Sequence, residues 1–217
     1  MPGAVLTIAS KNYGSWSLRG WLLCRMAGLE FEERSLPADD PETRAELLLL
    51  SPSFQVPCLE NGSIRVWDTL AIAEYLAELK PKAGLLPSDP KARAHCRSIC
   101  GEMHSGFANM RSAMPMNIKA RHPGYKVFAG ARPDIERIAA IWRECLELYG
   151  GPFLFGKPSM ADAMYAPVTT RFATYDVHLD RVCDGYCRTI HAWPLMQEWT
   201  AAALEEPDDL EELDVEF

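Results

Sequence analysis

The sequence predicts an α/β unit of element order βαβαββα at its N-terminal end, followed by an all-α helical bundle. Three observations carry that expectation. Over residues 1–80, short apolar runs suited to strands alternate with runs of helical period. The stretch Lys80 to Pro90 (KPKAGLLPSDP) then holds three prolines and a glycine and reads as a linker. Beyond it, apolar residues recur at spacings of three and four and no strand alternation returns. The expected division is 1–80 for the α/β domain, 81–90 for the linker and 91–217 for the helical domain.

Each element has its own signal. Ala4 to Ala9 is a short apolar run fit for a buried strand, and Ser10 to Ser15 (SKNYGS) is a turn cluster. Trp16, Leu18, Trp21, Leu22, Leu23 and Met26 follow near helical spacing, with Gly28 placed as a C-terminal cap. Phe31 to Leu36 alternates like a strand, so the first three elements form a right-handed βαβ unit. A second helix is expected from Pro41 to Leu50, with Pro41 in its first turn. Pro57 opens a short strand, Asn61-Gly62 signals a two-residue hairpin, and Ile64 to Trp67 returns as its partner. Asp68-Thr69 then stands before the apolar-periodic run Leu70, Ile72, Ala73, Leu76, where a helix begins. In the second region, Cys96, Ile99, Met103, Phe107, Met110 and Met114 predict one stripe of a long helix, and Ile135 to Tyr149 predicts another. Ser159-Met160-Ala161-Asp162 fits a capping box with Asp in place of Glu, and Pro167 is expected to kink the helix it opens. A last helix is expected around Tyr186 to Leu204, ahead of a solvated acidic tail from Glu205 to Phe217.

Composition narrows the function classes. Apolar residues make up 48% of the 217, ample for a core, and the net charge of −8 argues against nucleic acid and anionic membranes as partners. No apolar run approaches the ~18–20 residues that span a bilayer. Seven cysteines, an odd number without framework spacing, suit free thiols in a reducing compartment, and a cytoplasmic location is expected. Metal binding is weighed through Cys96, Cys100 and His104, which lie four apart. On one helix the outer two stand ~12 Å apart at 1.5 Å per residue, too far to converge on one ion. Cys183, Cys187 and His191 meet the same objection, so no metal is expected.

The stretch Gln55 to Thr69 (QVPCLENGSIRVWDT) carries the chemistry. The turn at Val56-Pro57 can offer a backbone N–H and C=O to an extended peptide. The helix start at Asp68-Thr69 can offer N–H groups, a hydroxyl and the positive end of a dipole. Each feature alone reads as an ordinary turn or cap. Together they resemble the glutathione-binding half of the cytosolic glutathione S-transferase family, in its bacterial-type, zeta-like form. The resemblance extends over nearly the whole chain and is strongest over residues 4–80 and 150–175.

That resemblance implies a thioredoxin-like N-terminal domain in which Pro57 follows a cis bond. It implies that Gln55, Val56 and Pro57 meet the cysteinyl backbone of glutathione and that Asp68 and Thr69 hold its γ-glutamyl end. The reactive loop is Asn12 to Arg19. Ser15, at the start of the first helix, is the foremost candidate for holding the thiolate, with Asn12 and Tyr13 as further donors; an N-cap is the plainer reading of Ser15. A zeta-type alignment through Trp16 and Arg19 puts Asn12 where that class keeps its serine. The absence of cysteine from this loop argues against the thiol transferases that form a mixed disulfide there. Met103, Phe107, Arg111, Met114 and Asn117 are candidates for the second substrate, although a methionine stripe is more often core. Arg111, which also falls near glutathione in the resemblance, favours a carboxylate-bearing electrophile. The implied protein is a homodimeric, detoxifying transferase that conjugates glutathione to small hydrophobic or weakly acidic electrophiles. The alternatives are a zeta-like, glutathione-dependent cis-trans isomerase of the maleylacetoacetate type and a non-catalytic binding protein of the same fold.

Overall fold

A computed structural model describes residues 3–36 and 56–207 of the chain. Strands β1 (Ala4–Ile8), β2 (Phe31–Ser35), β3 (Cys58–Asn61) and β4 (Ile64–Trp67) form one sheet in the order β2-β1-β3-β4. β1 runs parallel to β2, with Ala4 opposite Phe31, and antiparallel to β3, with Leu6 opposite Leu59. The parallel pair is joined through helix α1 (Ser15–Met26), as the βαβ reading requires. Gly28 ends α1 in the left-handed region at φ 64°, with its N–H donating to Arg25 O and that of Leu29 to Cys24 O. Those two bonds are a Schellman motif, which is why glycine stands there. The helix expected over Pro41–Leu50 lies outside the described residues, as does Gln55.

The β3–β4 hairpin turns one residue later than the Asn-Gly dipeptide suggests. Asn61 pairs with Ile64, so the loop is Gly62-Ser63, with Gly62 at φ 64° as the first loop residue. Asn61 instead donates its side-chain amide to the Tyr75 hydroxyl at 2.9 Å. Helix α2 (Thr69–Leu79) follows, capped by the Asp68 carboxylate.

The remaining elements are helical. Besides two 3-10 turns, Pro81–Ala83 and Ala129–Ala131, they are α3 (Pro90–Ser105), α4 (Ala108–Ala113), α5 (Arg132–Tyr149), α6 (Met160–Thr174), α7 (Arg181–Ala192) and α8 (Pro194–Glu205). The long methionine-striped helix is thus two helices. They part at Gly106-Phe107, where Phe107 takes φ 59° and a Cβ on Gly106 would stand 2.7 Å from Glu102 O. The final helix is likewise split, because Pro194 opens α8 after Trp193 leaves the helical region. Helix α6 continues through Pro167, whose carbonyl accepts from Thr170 Oγ1 and Arg171 Nη1.

Helix α6 is buried at every residue except Ala173 and begins with the expected capping box. The buried Asp162 carboxylate accepts from Ser159 N, Ser159 Oγ, Leu154 N and the Tyr186 hydroxyl. Burial pushes that carboxyl up to about 6 against the pull of the four donors. Arg19, on α1, donates its Nε to Met164 O of α6 at 2.8 Å, which ties the sheet unit to the helical bundle.

On its other side α1 rests on Pro57. A Cβ built on Gly20 would lie 2.6 Å from Pro57 Cβ and 2.9 Å from Pro57 Cγ. Both are ring atoms that cannot swing away. We therefore expect Gly20→Ala to destabilise the protein by about 1–3 kcal/mol through overpacking, although alanine is the better helix former by ~1 kcal/mol. Denaturant unfolding of the two proteins checks this, and a rise in stability would show that the contact is loose.

Candidate active site

The reactive loop is built by hydrogen bonds that sort its side chains into those holding the loop and one that is not engaged. Gly14 N–H donates to Ser10 O at 2.8 Å, and a Cβ on Gly14 would stand 2.4 Å from that same oxygen, so the turn needs glycine. Asn12 is fully buried. Its amide donates to Asn117 Oδ1 and its Oδ1 accepts from Lys119 N, both at 3.0 Å. The Ser17 hydroxyl accepts from Ala9 N at 2.9 Å. Tyr13 is buried. Ser15 is the first residue of α1, keeps 7% of its surface exposed, and its hydroxyl has no hydrogen-bond partner among the described residues. Of the three amide and hydroxyl side chains Asn12, Ser15 and Ser17, it is the one left for a ligand.

Val56 and Pro57 lie beside the middle of α1, and their peptide bond is cis, as the resemblance implied. Asp68 occupies the left-handed region at φ 75°, a conformation that non-glycine residues adopt at a cost. Its Oδ1 accepts from Leu70 N at 2.8 Å, and its Oδ2 stands 3.0 Å from His104 Nε2 on α3. Partial burial works to raise the Asp68 pKa, but the bonds from His104 and Leu70 N–H overcome it and hold the carboxyl below its ordinary range. Thr69 is buried, and its hydroxyl has no hydrogen-bond partner among the described residues. One acceptor and one unpartnered hydroxyl therefore meet at the start of α2.

Trp16, the residue after Ser15, packs beside His104. Its ring stands edge-on to His104 at 5.2 Å, with the Arg19 guanidinium 4.3 Å and the Arg111 guanidinium 5.6 Å from its centroid. Arg19 is fully buried, and its Nη1 and Nη2 have no hydrogen-bond partner among the described residues. Burial, then repulsion from Arg171 and Arg111, holds its pKa well below the usual arginine value. Burial and Arg111 lower Arg171 to about 10. Arg171 donates to the carbonyls of Met114 and Pro167. This corner of the interior is electropositive in a chain of net charge −8.

The candidates for the second substrate divide. Arg111 is half-buried, with its Nε unpartnered among the described residues. Met103 and Met114 have no exposed surface and Phe107 keeps 7%, so they serve the core. Asn117 is buried against Asn12 and Ala120 N. Cys24 is no hidden nucleophile, since burial pushes its thiol up to about 12. No group of three metal-ligating side chains comes together among the described residues.

Three participants escaped sequence reasoning. His104 sits four residues after Cys100 and invited a metal reading, whereas its partner is Asp68 on another element. Arg19 lies one helical turn after Ser15, a spacing that could have drawn attention to it. Glu206 closes the reactive loop from the far end of the chain: its carboxylate accepts from Ser10 Oγ, Lys11 N and Asn12 N at 2.6, 2.8 and 3.0 Å. Glu206, expected in a solvated tail, is therefore engaged, whereas Glu205 is exposed as expected and residues 208–217 lie outside the described residues.

A mixed four-stranded sheet with its crossover helix, joined to a helical bundle, defines a two-part protein of thioredoxin-like and all-α halves, with its candidate site where the halves meet. Family profiles agree: the glutathione S-transferase N-terminal domain matches residues 13–79 and the C-terminal domain matches residues 113–202. The chain belongs to the glutathione S-transferase family. It is 29% identical over 178 residues to the maleylacetoacetate isomerase of Rattus norvegicus, covering 76% of each chain. To a probable maleylacetoacetate isomerase of Caenorhabditis elegans it is 32% identical over 93 residues, spanning 43% of this chain and 42% of that one. In fold it is similar to a glutathione transferase homologue from Burkholderia solved with bound glutathione. The TM-score is 0.69 at 20% identity, covering 95% of this chain and 100% of that one.

The Asp68 bonds predict a pH signature in stability. The folded pKa of Asp68 lies below its unfolded value, so its contribution is present above the ordinary carboxylate range and is lost as pH falls through the folded pKa. Asp68→Asn should therefore be less stable than wild type at neutral pH, and the gap should close in acid. Unfolding midpoints of both proteins across pH check this; a gap independent of pH would mean that the charge is irrelevant.

Proposed function

We propose that the chain is a glutathione transferase whose Ser15 hydroxyl and α1 N-terminus hold the glutathione thiolate for attack on a small hydrophobic or weakly acidic electrophile. The observation that carries this reading is the unengaged Ser15 hydroxyl at a helix start, beside neighbours whose polar groups are occupied. A thiolate there gains a hydrogen bond and the positive end of the helix dipole, both of which lower a thiol pKa. The electropositive interior around Arg19, Arg111 and Arg171 favours the same charge.

In this reading the Val56 backbone pairs with the cysteinyl unit, and Asp68 and Thr69 hold the γ-glutamyl ammonium and carboxylate. The unpartnered Thr69 hydroxyl and the charged Asp68 suit those groups. Tyr13 and Gln55 complete the proposed glutathione site. Arg111 faces the electrophile, whose sulfur–carbon bond forms as its leaving group departs with the electron pair. The exposed Ile64 and Trp67 of edge strand β4 suit a homodimer, and seven free cysteines suit the cytoplasm.

A second reading is favoured by the names of the relatives aligned over most of the chain: a glutathione-dependent isomerase of the maleylacetoacetate type. It uses the same thiolate site but regenerates free glutathione. A product carrying a stable glutathione adduct separates transferase from isomerase, and turnover of a generic aryl halide separates either from a binding protein.

If Ser15 holds the thiolate, Ser15→Ala should raise the pKa of bound glutathione by about one to two units, from ~1.5–3 kcal/mol for a hydrogen bond to a charged acceptor. Affinity should change little. Activity at neutral pH should fall and return in alkaline buffer, without vanishing, because the helix N–H groups remain. Thiolate absorbance across pH reads this. An unshifted titration in Ser15→Ala together with a shift in Asn12→Ala would hand the role to Asn12.

A further inference from the structure

We infer that Glu206, at the end of α8, is a positioning residue for thiolate activation, acting through the reactive loop some 190 residues earlier in the chain. The inference rests on the proposed role of that loop in holding the thiolate. Glu206 Oε2 accepts from the Ser10 hydroxyl at 2.6 Å and from Asn12 N at 3.0 Å, while Oε1 accepts from Lys11 N at 2.8 Å. Because the Ser10 hydroxyl donates to Glu206, its lone pairs are turned to the loop, where they accept from Asn12 N at 3.1 Å and Tyr13 N at 3.2 Å. The Ser10 carbonyl then accepts from Gly14 N, and Ser15 N donates to Tyr13 O. One carboxylate thus organises an unbroken series of donors that ends at the first residue of α1.

The end of α8 is itself held in place. Lys119 Nζ donates to Glu206 O at 2.5 Å, Trp199 Nε1 donates to Lys11 O at 3.0 Å, and the Trp199 ring packs tilted against Trp21 of α1 with centroids 5.4 Å apart. Three of the loop's donors therefore have one anionic acceptor on a fixed element. Bonds of this kind, from neutral N–H and O–H to a carboxylate, are stronger than neutral pairs, and a loop deprived of them must satisfy its N–H groups elsewhere by changing shape. The displacement would fall on Ser15 while leaving Val56, Asp68 and Thr69 in place. Activation should suffer and affinity should not.

The test compares wild type with Glu206→Ala, Glu206→Gln, Ser10→Ala, the Ser10→Ala/Glu206→Ala double variant and the exposed neighbour Glu205→Gln, in the full chain. For each, glutathione affinity is measured by calorimetry, the bound thiol by absorbance titration, and kcat at neutral pH with an aryl halide. Glu206→Ala should raise the bound-thiol pKa by about one unit and lower kcat at neutral pH by up to about tenfold, since one unit is at most tenfold in the ionised fraction. The dissociation constant should move less than about twofold, well under the 1.4 kcal/mol of a tenfold change. Glu206→Gln keeps an acceptor for Ser10 and Asn12 and should lie between, Glu205→Gln should match wild type, and the double variant should add little to Glu206→Ala. Unfolding midpoints identify any variant that fails to fold, and the isosteric Glu206→Gln then decides. A wild-type thiol pKa below that of free glutathione with unshifted Glu206 variants would overturn the inference alone. A wild-type value equal to that of free glutathione would overturn the Ser15 reading and this inference with it.

Discussion

The site depends on one steric constraint, the contact of α1 with Pro57 where Gly20 has no side chain. That contact fixes how far the first helix descends onto the β3 end of the sheet, and Ser15 lies five residues up the same helix, about 7.5 Å along its axis. Around it, α1 is held from several directions. Arg19 reaches the α6 backbone, Trp21 donates to Glu33 on β2 at 2.7 Å, and Arg25 pairs with Glu198 on α8. A helix tied to the sheet, to the buried helix of the bundle and to the last helix has little freedom to rotate. Its N-terminus is consequently a rigid place to present N–H groups and a hydroxyl.

That rigidity explains the division of labour in the loop. Asn12 and Ser17 are polar residues in the right neighbourhood, yet each satisfies backbone groups that burial would otherwise leave unpaired. Ser15 escapes this because Gly14, not Ser15, occupies the N-cap position, and no side chain caps the helix. The cap absent at α1 is present at α2, where Asp68 takes Leu70 N–H and is held from across the molecule by His104. The two helix starts therefore differ in character. One is open and electropositive, suited to a sulfur anion; the other carries a fixed carboxylate suited to an ammonium.

Much of this was legible in the sequence because it rests on local rules. The Schellman glycine at Gly28, the capping box at Ser159 and Asp162, and the hairpin between β3 and β4 are set by neighbours within a few residues. The errors arose where a distant contact decided. The helix break at Gly106-Phe107 interrupts a stripe whose period continues unbroken on either side, so periodicity could not reveal it. Asn12 looked like a candidate donor because its partners, Asn117 and Lys119, lie more than a hundred residues away. Glu206 looked like the start of a solvated tail for the same reason. His104 takes part through Asp68 on another element, and no short-range pattern marks it.

The most direct test of the account is a crystal structure of the protein with glutathione bound. The account predicts the sulfur within hydrogen-bond reach of Ser15 Oγ, the cysteinyl backbone paired with Val56, and the γ-glutamyl ammonium on Asp68 with its carboxylate on Thr69 and the α2 N-terminus. The Asn12 amide should keep its bonds to Asn117 and Lys119. A sulfur held by Tyr13 or by a displaced Asn12, with Ser15 turned away, would contradict it.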